Sequence, residues 1–130
     1  MRLALKGNLP FAPVTVAYQG ASLTLPEVLI DTGSARTILS VDVVAHIQIT
    51  PALDDILYTI RGVGGSEAVF SRKVDHLQIG SQRLENFEIE VGGMDYGFDI
   101  QGILGMDFLK QAGAILNLAE MTIEFSDSSV

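Results

Sequence analysis

Val28-Leu29-Ile30-Asp31-Thr32-Gly33-Ser34 sets one carboxylate on a glycine turn directly after a short apolar run. Val28 to Ile30 have the aliphatic character of a strand buried in a sheet, whereas Asp, Gly and Ser are residues that turn a chain sharply. A segment built this way presents an acid at the floor of a cleft and holds it still by the strand beneath. Gly33, lacking a Cβ, lets the backbone come close to the carboxylate. Taken alone, an Asp-Thr-Gly tripeptide is equally compatible with an ordinary strand ending in a turn. Two segments nearer the C-terminus separate these readings.

The first is Ile60-Arg61-Gly62-Val63-Gly64-Gly65-Ser66, a glycine-rich tip between two strand-like runs, Asp55 to Ile60 and Glu67 to Val74. In the second, Gly102-Ile103-Leu104-Gly105 leads into a short helical pattern from Met106 to Ala112. With these in place the chain resembles the retropepsin-like aspartic peptidases, in which each subunit of a homodimer supplies one Asp-Thr-Gly. Acid loop, glycine flap, apolar-apolar-Gly strand and short C-terminal helix occur in that family's order, from about Pro13 to Phe125. The ordered set is much more specific than any one of its members.

Composition is consistent with this. The 130 residues read as a single domain, 1–130, and at 48% hydrophobic and 18% charged they have material for a core and no signature of disorder. The chain contains one Asp-Thr-Gly, so a site of two carboxylates requires two chains. A net charge of -8 with 8 scattered Lys and Arg argues against nucleic acid as a partner. There is no Cys, which excludes disulfides and thiol catalysis, and the two histidines, His46 and His76, lack metal-ligand spacing. No metal or other cofactor is expected. No apolar run is long enough for a transmembrane helix, and Gly7, Asn8 and Pro10 interrupt any signal-peptide core, so the expectation is a cytoplasmic chain without a membrane partner.

The remaining pattern is mostly strands. Val14, Val16 and Tyr18 alternate with Thr15 and Ala17, Gln19-Gly20-Ala21 turns the chain, and Ser22 to Leu25 return as the second arm of a hairpin that Pro26 ends. Thr37 to Leu39 form a short strand, and Ser40 is placed to cap a helix over Val41 to Ile47, with Asp42 in its first turn and Pro51 closing the segment. His76 to Gly80 and Leu84 to Val91 read as strands about a turn at Ser81-Gln82, Gly92-Gly93 and Gly97 as a loop, and Ala114 to Leu118 with Met121 to Phe125 as a final hairpin. The expected fold is an all-β, retropepsin-like acid-protease barrel with two short helices. Apolar strand, glycine turn and helix occur around Asp31 and again around Gly105, a faint echo in which one copy carries the acid.

Hydrolysing an amide without a covalent intermediate takes a base for water and an acid for the departing group. Two Asp31 carboxylates in contact cannot both ionise, so they share a proton and supply both roles. The resemblance implies that Thr32 hydrogen-bonds across the dimer and that Gly33 donates its N–H to the carboxylates. Ser34 is expected either to donate to the ionised acid, favouring an acidic working range, or simply to cap the turn. Gly62, Val63, Gly64 and Gly65 are expected to form the substrate-binding flap, since an open groove exposes the attacking water and a hairpin must close over it. Retroviral members carry an Asp after the motif and an Arg after the apolar-apolar-Gly strand; here Ala35 and Met106 stand there, which points to a cellular or bacterial type, with Arg36 a possible substitute in the brace. The expected function is an aspartic endopeptidase acting on polypeptide as a homodimer. The alternative is a non-catalytic peptide-binding or assembly module on the same fold.

Overall fold

The first strands are set by two-residue turns. β1 (Ala4–Lys6) meets β2 (Leu9–Tyr18) through Gly7-Asn8, and β2 meets β3 (Ala21–Ile30) through Gln19-Gly20. All four turn residues have positive φ, the backbone form whose twist matches that of paired strands. Register follows from the turn: Tyr18 lies opposite Ala21 and Val16 opposite Leu23, so that Val14, Val16 and Leu25 enter the core. On the other face the hydroxyls of Thr15 and Thr24 meet at 2.8 Å. The computed structural model describes residues 1–62, 65–94 and 100–126, with the backbone alone described within 58–68.

Pro26 does not end β3, contrary to the sequence expectation. Ala12 pairs with Val28 and Val14 with Leu25, so Pro26 and Glu27 together face Pro13 in an irregular step of the ladder. A bulge is where a strand tolerates a residue without an N–H. β3 therefore runs on to Ile30 and carries the acid at its end. Val28 and Ile30 are buried and Leu29 is half-buried.

Beyond the acid loop the chain forms β4 (Ile38–Ser40), α1 (Val41–Val44), a single 3-10 turn (Ala45–Ile47), β5 (Tyr58–Gly62), β6 (Gly65–Lys73), β7 (His76–Ile79), β8 (Gln82–Glu85), β9 (Glu88–Gly92) and β10 (Gly102–Leu104). It finishes with α2 (Met106–Ala112), β11 (Ala114–Asn117) and β12 (Thr122–Phe125). One large sheet runs in the order β5-β6-β9-β4-β10-β3-β2-β7-β8, with β1 on β2 and the β11–β12 hairpin apart. The fold is all-β, a curled sheet with two short helices, as expected.

Two local expectations are corrected. The run Leu84 to Val91 is broken, because Asn86 takes positive φ and donates its N–H to Asp75 O at 2.9 Å. That turn drives Phe87 into the core, edge-on to Phe108 with ring centres 5.5 Å apart. Ser40 does occupy the N-cap position of α1, but its side chain makes no capping bond, and α1 gives way to the 3-10 turn, closed by Gln48 in the left-handed region. The expected loop at Gly92-Gly93 and Gly97 lies partly outside the described residues, since Gly97 is among 95–99.

Arg72 ties the segment before β5 to the barrel. Its guanidinium donates to Asp55 Oδ2 at 2.7 Å, Thr50 O at 2.9 Å and the Tyr18 hydroxyl at 3.3 Å. It also lies 5.3 Å from the Phe70 ring centre and 5.7 Å from that of Tyr18. Replacing Arg72 by Leu leaves the Asp55 carboxylate, itself largely covered, without its cation. The expected loss is about 2 kcal/mol, measured as a lowered urea midpoint at unchanged slope.

Candidate active site

The acid loop is held from below by β10. That strand lies between β3 and β4, parallel to the first with Leu104 beside Ile30, and antiparallel to the second. The chain thus leaves β3 at Asp31, passes around the end of β10 and returns as β4. Asp31 N–H continues the ladder by donating to Leu104 O at 3.0 Å, which sets the backbone of the acid. The two halves of the sequence echo are direct neighbours here, Val28 to Ile30 lying against Gly102 to Leu104.

Asp31 is half-buried, while Thr32 and Gly33 are exposed. Gly33 N–H donates to Asp31 Oδ1 at 2.8 Å, and a Cβ on Gly33 would sit 3.1 Å from that oxygen. Ser34 N–H closes the turn on Asp31 O at 3.2 Å. Of the two roles expected for the Ser34 hydroxyl, the bond it makes is the one within the turn: it donates to Arg36 O at 2.7 Å. A hydroxyl has one proton, and here it ties the return of the loop rather than reaching the acid. In the single chain this hydroxyl bond closes the turn and is not made to the Asp31 carboxylate.

The other wall of the loop is the start of α2. Met106 N–H donates to Ser34 O at 2.7 Å and Asp107 N–H to Ala35 O at 3.2 Å. Such close approach needs a glycine before the helix: a Cβ on Gly105 would lie 2.5 Å from Arg36 O and 2.8 Å from Ser34 O. Fully buried Thr37 donates to Asp107 through both its N–H, at 3.0 Å, and its hydroxyl, at 2.7 Å. The same hydroxyl accepts the Gly105 N–H at 3.0 Å. Sequence reasoning did not single out Thr37 or Asp107 as site residues. Their types were visible, a Thr opening a strand and an Asp in a helix's first turn, but not that they meet.

Arg36 sits among carboxylates of its own chain: Glu88 at 3.0 Å, Glu90 at 3.6 Å and Asp107 at 3.7 Å. Burial draws its pKa down, but the hydrogen bond with Glu88 and the charges of Glu90, Asp107 and Glu88 outweigh that and leave it raised. It is a permanent cation.

The glycine hairpin belongs to the same sheet. β5 pairs with β6 up to Gly62 opposite Gly65, β6 pairs with β9, and β9 pairs with β4. Val63 and Gly64, the expected flap tip, lie outside the described residues. His46 falls in the 3-10 turn and His76 opens β7; among the described residues no three His, Asp or Glu side chains are grouped to hold a metal.

The model of the aspartyl protease family matches residues 12–108, a span that includes the acid loop, the β5–β6 hairpin and the start of α2. The chain belongs to that family. The aspartyl protease fold is shared with a solved structure, a retropepsin-like aspartic protease from Rickettsia conorii, at a TM-score of 0.65 and 15% identity. The match covers 94% of this chain and 95% of the other. No curated protein matches the sequence. Within the aspartyl protease span fall Asp31, its glycine turn and Asp107 alike.

Proposed function

We propose that this aspartyl protease is a homodimeric endopeptidase in which Asp31 of two chains forms the acid pair. The observation that carries the proposal is the single Asp-Thr-Gly, placed on a rigidly based loop whose Thr32 and Gly33 are exposed in the isolated chain. One carboxylate of the pair is ionised and takes a proton from water as the water oxygen bonds to the scissile carbonyl carbon. The other, protonated, gives its proton to the carbonyl oxygen. The tetrahedral diol then collapses: one of its hydroxyls returns a proton to the carboxylate that gave one, the C–N bond breaks, and the nitrogen leaves with the proton the other carboxyl had taken from water. Thr32 links the two loops, Gly33 holds each carboxylate through its N–H, and Ser34 keeps the loop closed. Gly62, Val63, Gly64 and Gly65 act as the flap, their glycines letting backbone approach an extended polypeptide substrate.

A cytoplasmic setting is part of the same proposal; no helix among the described residues is long and apolar enough to cross a membrane. The test is to mix wild type with Asp31→Asn chains while following cleavage of an unstructured protein. At ninefold excess of mutant and full exchange, activity per wild-type chain falls about tenfold, because few wild-type chains then meet one another. Undiminished activity would show that each chain carries a complete site.

A further inference from the structure

Besides the ion pair of Arg36 with Asp107 at 3.7 Å, the contacts that join the acid loop to α2 are of two kinds. Met106 N–H to Ser34 O and Asp107 N–H to Ala35 O are backbone bonds that many residues could make. The Asp107 carboxylate is different. It receives Thr37 N–H on Oδ2, and on Oδ1 both the Thr37 hydroxyl and Phe108 N–H, the last at 2.8 Å. The direction of each bond is determined. Gly105 N–H must donate to Thr37 Oγ1, so the hydroxyl proton is left for Asp107, and an acceptor-only group there satisfies every donor. Thr37 is wholly buried and closes the loop that Asp31 opens, and Gly105 directly follows Leu104, whose carbonyl holds the Asp31 N–H. The Asp107–Thr37–Gly105 chain therefore links the far end of the acid loop to the strand end that carries its near end.

We propose that Thr37 and Asp107 are positioning residues that set the orientation of the Asp31 loop, a role that rests on the peptidase reading of that loop. Neither touches substrate. They act by holding the two ends of the loop at fixed separation, and a small displacement of an acid pair is enough to lose most of its rate.

The experiment compares Thr37→Val, which keeps the bulk and loses the hydroxyl, with Thr37→Ser, which keeps the hydroxyl. Steady-state cleavage of one peptide and amide hydrogen exchange at Ser34 to Thr37 are measured well below each variant's melting temperature. The expected result is a kcat lowered about tenfold or more in Thr37→Val with KM within about threefold, faster exchange across the loop, and near-wild-type behaviour in Thr37→Ser. If Thr37→Val melts earlier but the folded protein keeps its kcat and its exchange, the pair serves the fold alone and the proposal is overturned. Should Thr37→Val not fold, Asp107→Asn replaces it, since an amide cannot accept on both sides and is expected to give the same loss. If wild type cleaves nothing, the peptidase reading fails, and exchange alone decides: a loop loosened by Val and not by Ser supports the positioning role, an unchanged loop overturns it.

Discussion

Asp31→Asn is expected to abolish peptide cleavage, by about a thousandfold or more, while melting and sedimentation stay as in wild type. Asparagine can neither take a proton from water nor share one with its neighbour, so both halves of the acid–base exchange are lost at once. The fold has little reason to respond. The Asp31 backbone remains on Leu104 O, and an Asn Oδ1 still accepts the Gly33 N–H that the carboxylate accepts at 2.8 Å. The substitution therefore separates chemistry from architecture. Persistent cleavage by clean mutant protein would show that the acid lies elsewhere. A mutant that melts early would show that the charge itself holds the loop.

Gly105→Ala is expected to be severely damaging, costing about 3 kcal/mol and eliminating turnover in whatever remains folded. Gly105 has φ -99 and ψ -174, a conformation alanine adopts freely, so the cost is steric and not conformational. The added carbon would stand 2.5 Å from Arg36 O, 2.7 Å from Arg36 C and 2.8 Å from Ser34 O. None of these atoms can swing aside as a side-chain tip would. Arg36 O receives the Ser34 hydroxyl, and Ser34 O receives Met106 N–H. To make room, α2 must move away from the acid loop, which breaks the bonds of Met106 N–H to Ser34 O and Asp107 N–H to Ala35 O and uncovers Phe108, fully buried in the core. The checks are a urea titration and the kcat of the folded fraction. Stability and turnover both near wild type would mean that the loop and helix are less tightly joined than these distances imply.

Much of the architecture is legible in the amino-acid sequence because it depends on neighbours in the chain. Gln19-Gly20 is a turn by residue type, and with the turn in place the alternation of Val14, Val16 and Tyr18 decides which side chains enter the core. The helix after Gly105 begins at Met106 and ends at Ala112 as its apolar spacing indicates, stopped by Gly113 in the left-handed region. The acid loop reads directly from an apolar strand meeting Asp, Thr and Gly. Where local reading failed, a partner distant in sequence had changed the outcome. Pro26 signals an end by itself, yet β2 offers it a bulge and the strand continues. Asn86 lies inside an alternating run, yet Asp75 O draws its N–H and the run breaks.

Residue order alone was enough for the class of fold, the single acid per chain and the succession of loop, hairpin, strand and helix, because turn chemistry and strand periodicity act over a few residues. Where the polar groups around that acid are aimed depended instead on packing between distant segments. The Ser34 hydroxyl could have served the carboxylate or the loop, and the approach of Arg36 O chose the loop. Thr37 and Asp107 are 70 positions apart, and nothing in either neighbourhood announces the other. A hydrogen bond is satisfied by whichever acceptor folding brings within about 3 Å, and that is set by β10 passing between the two strands the acid loop connects.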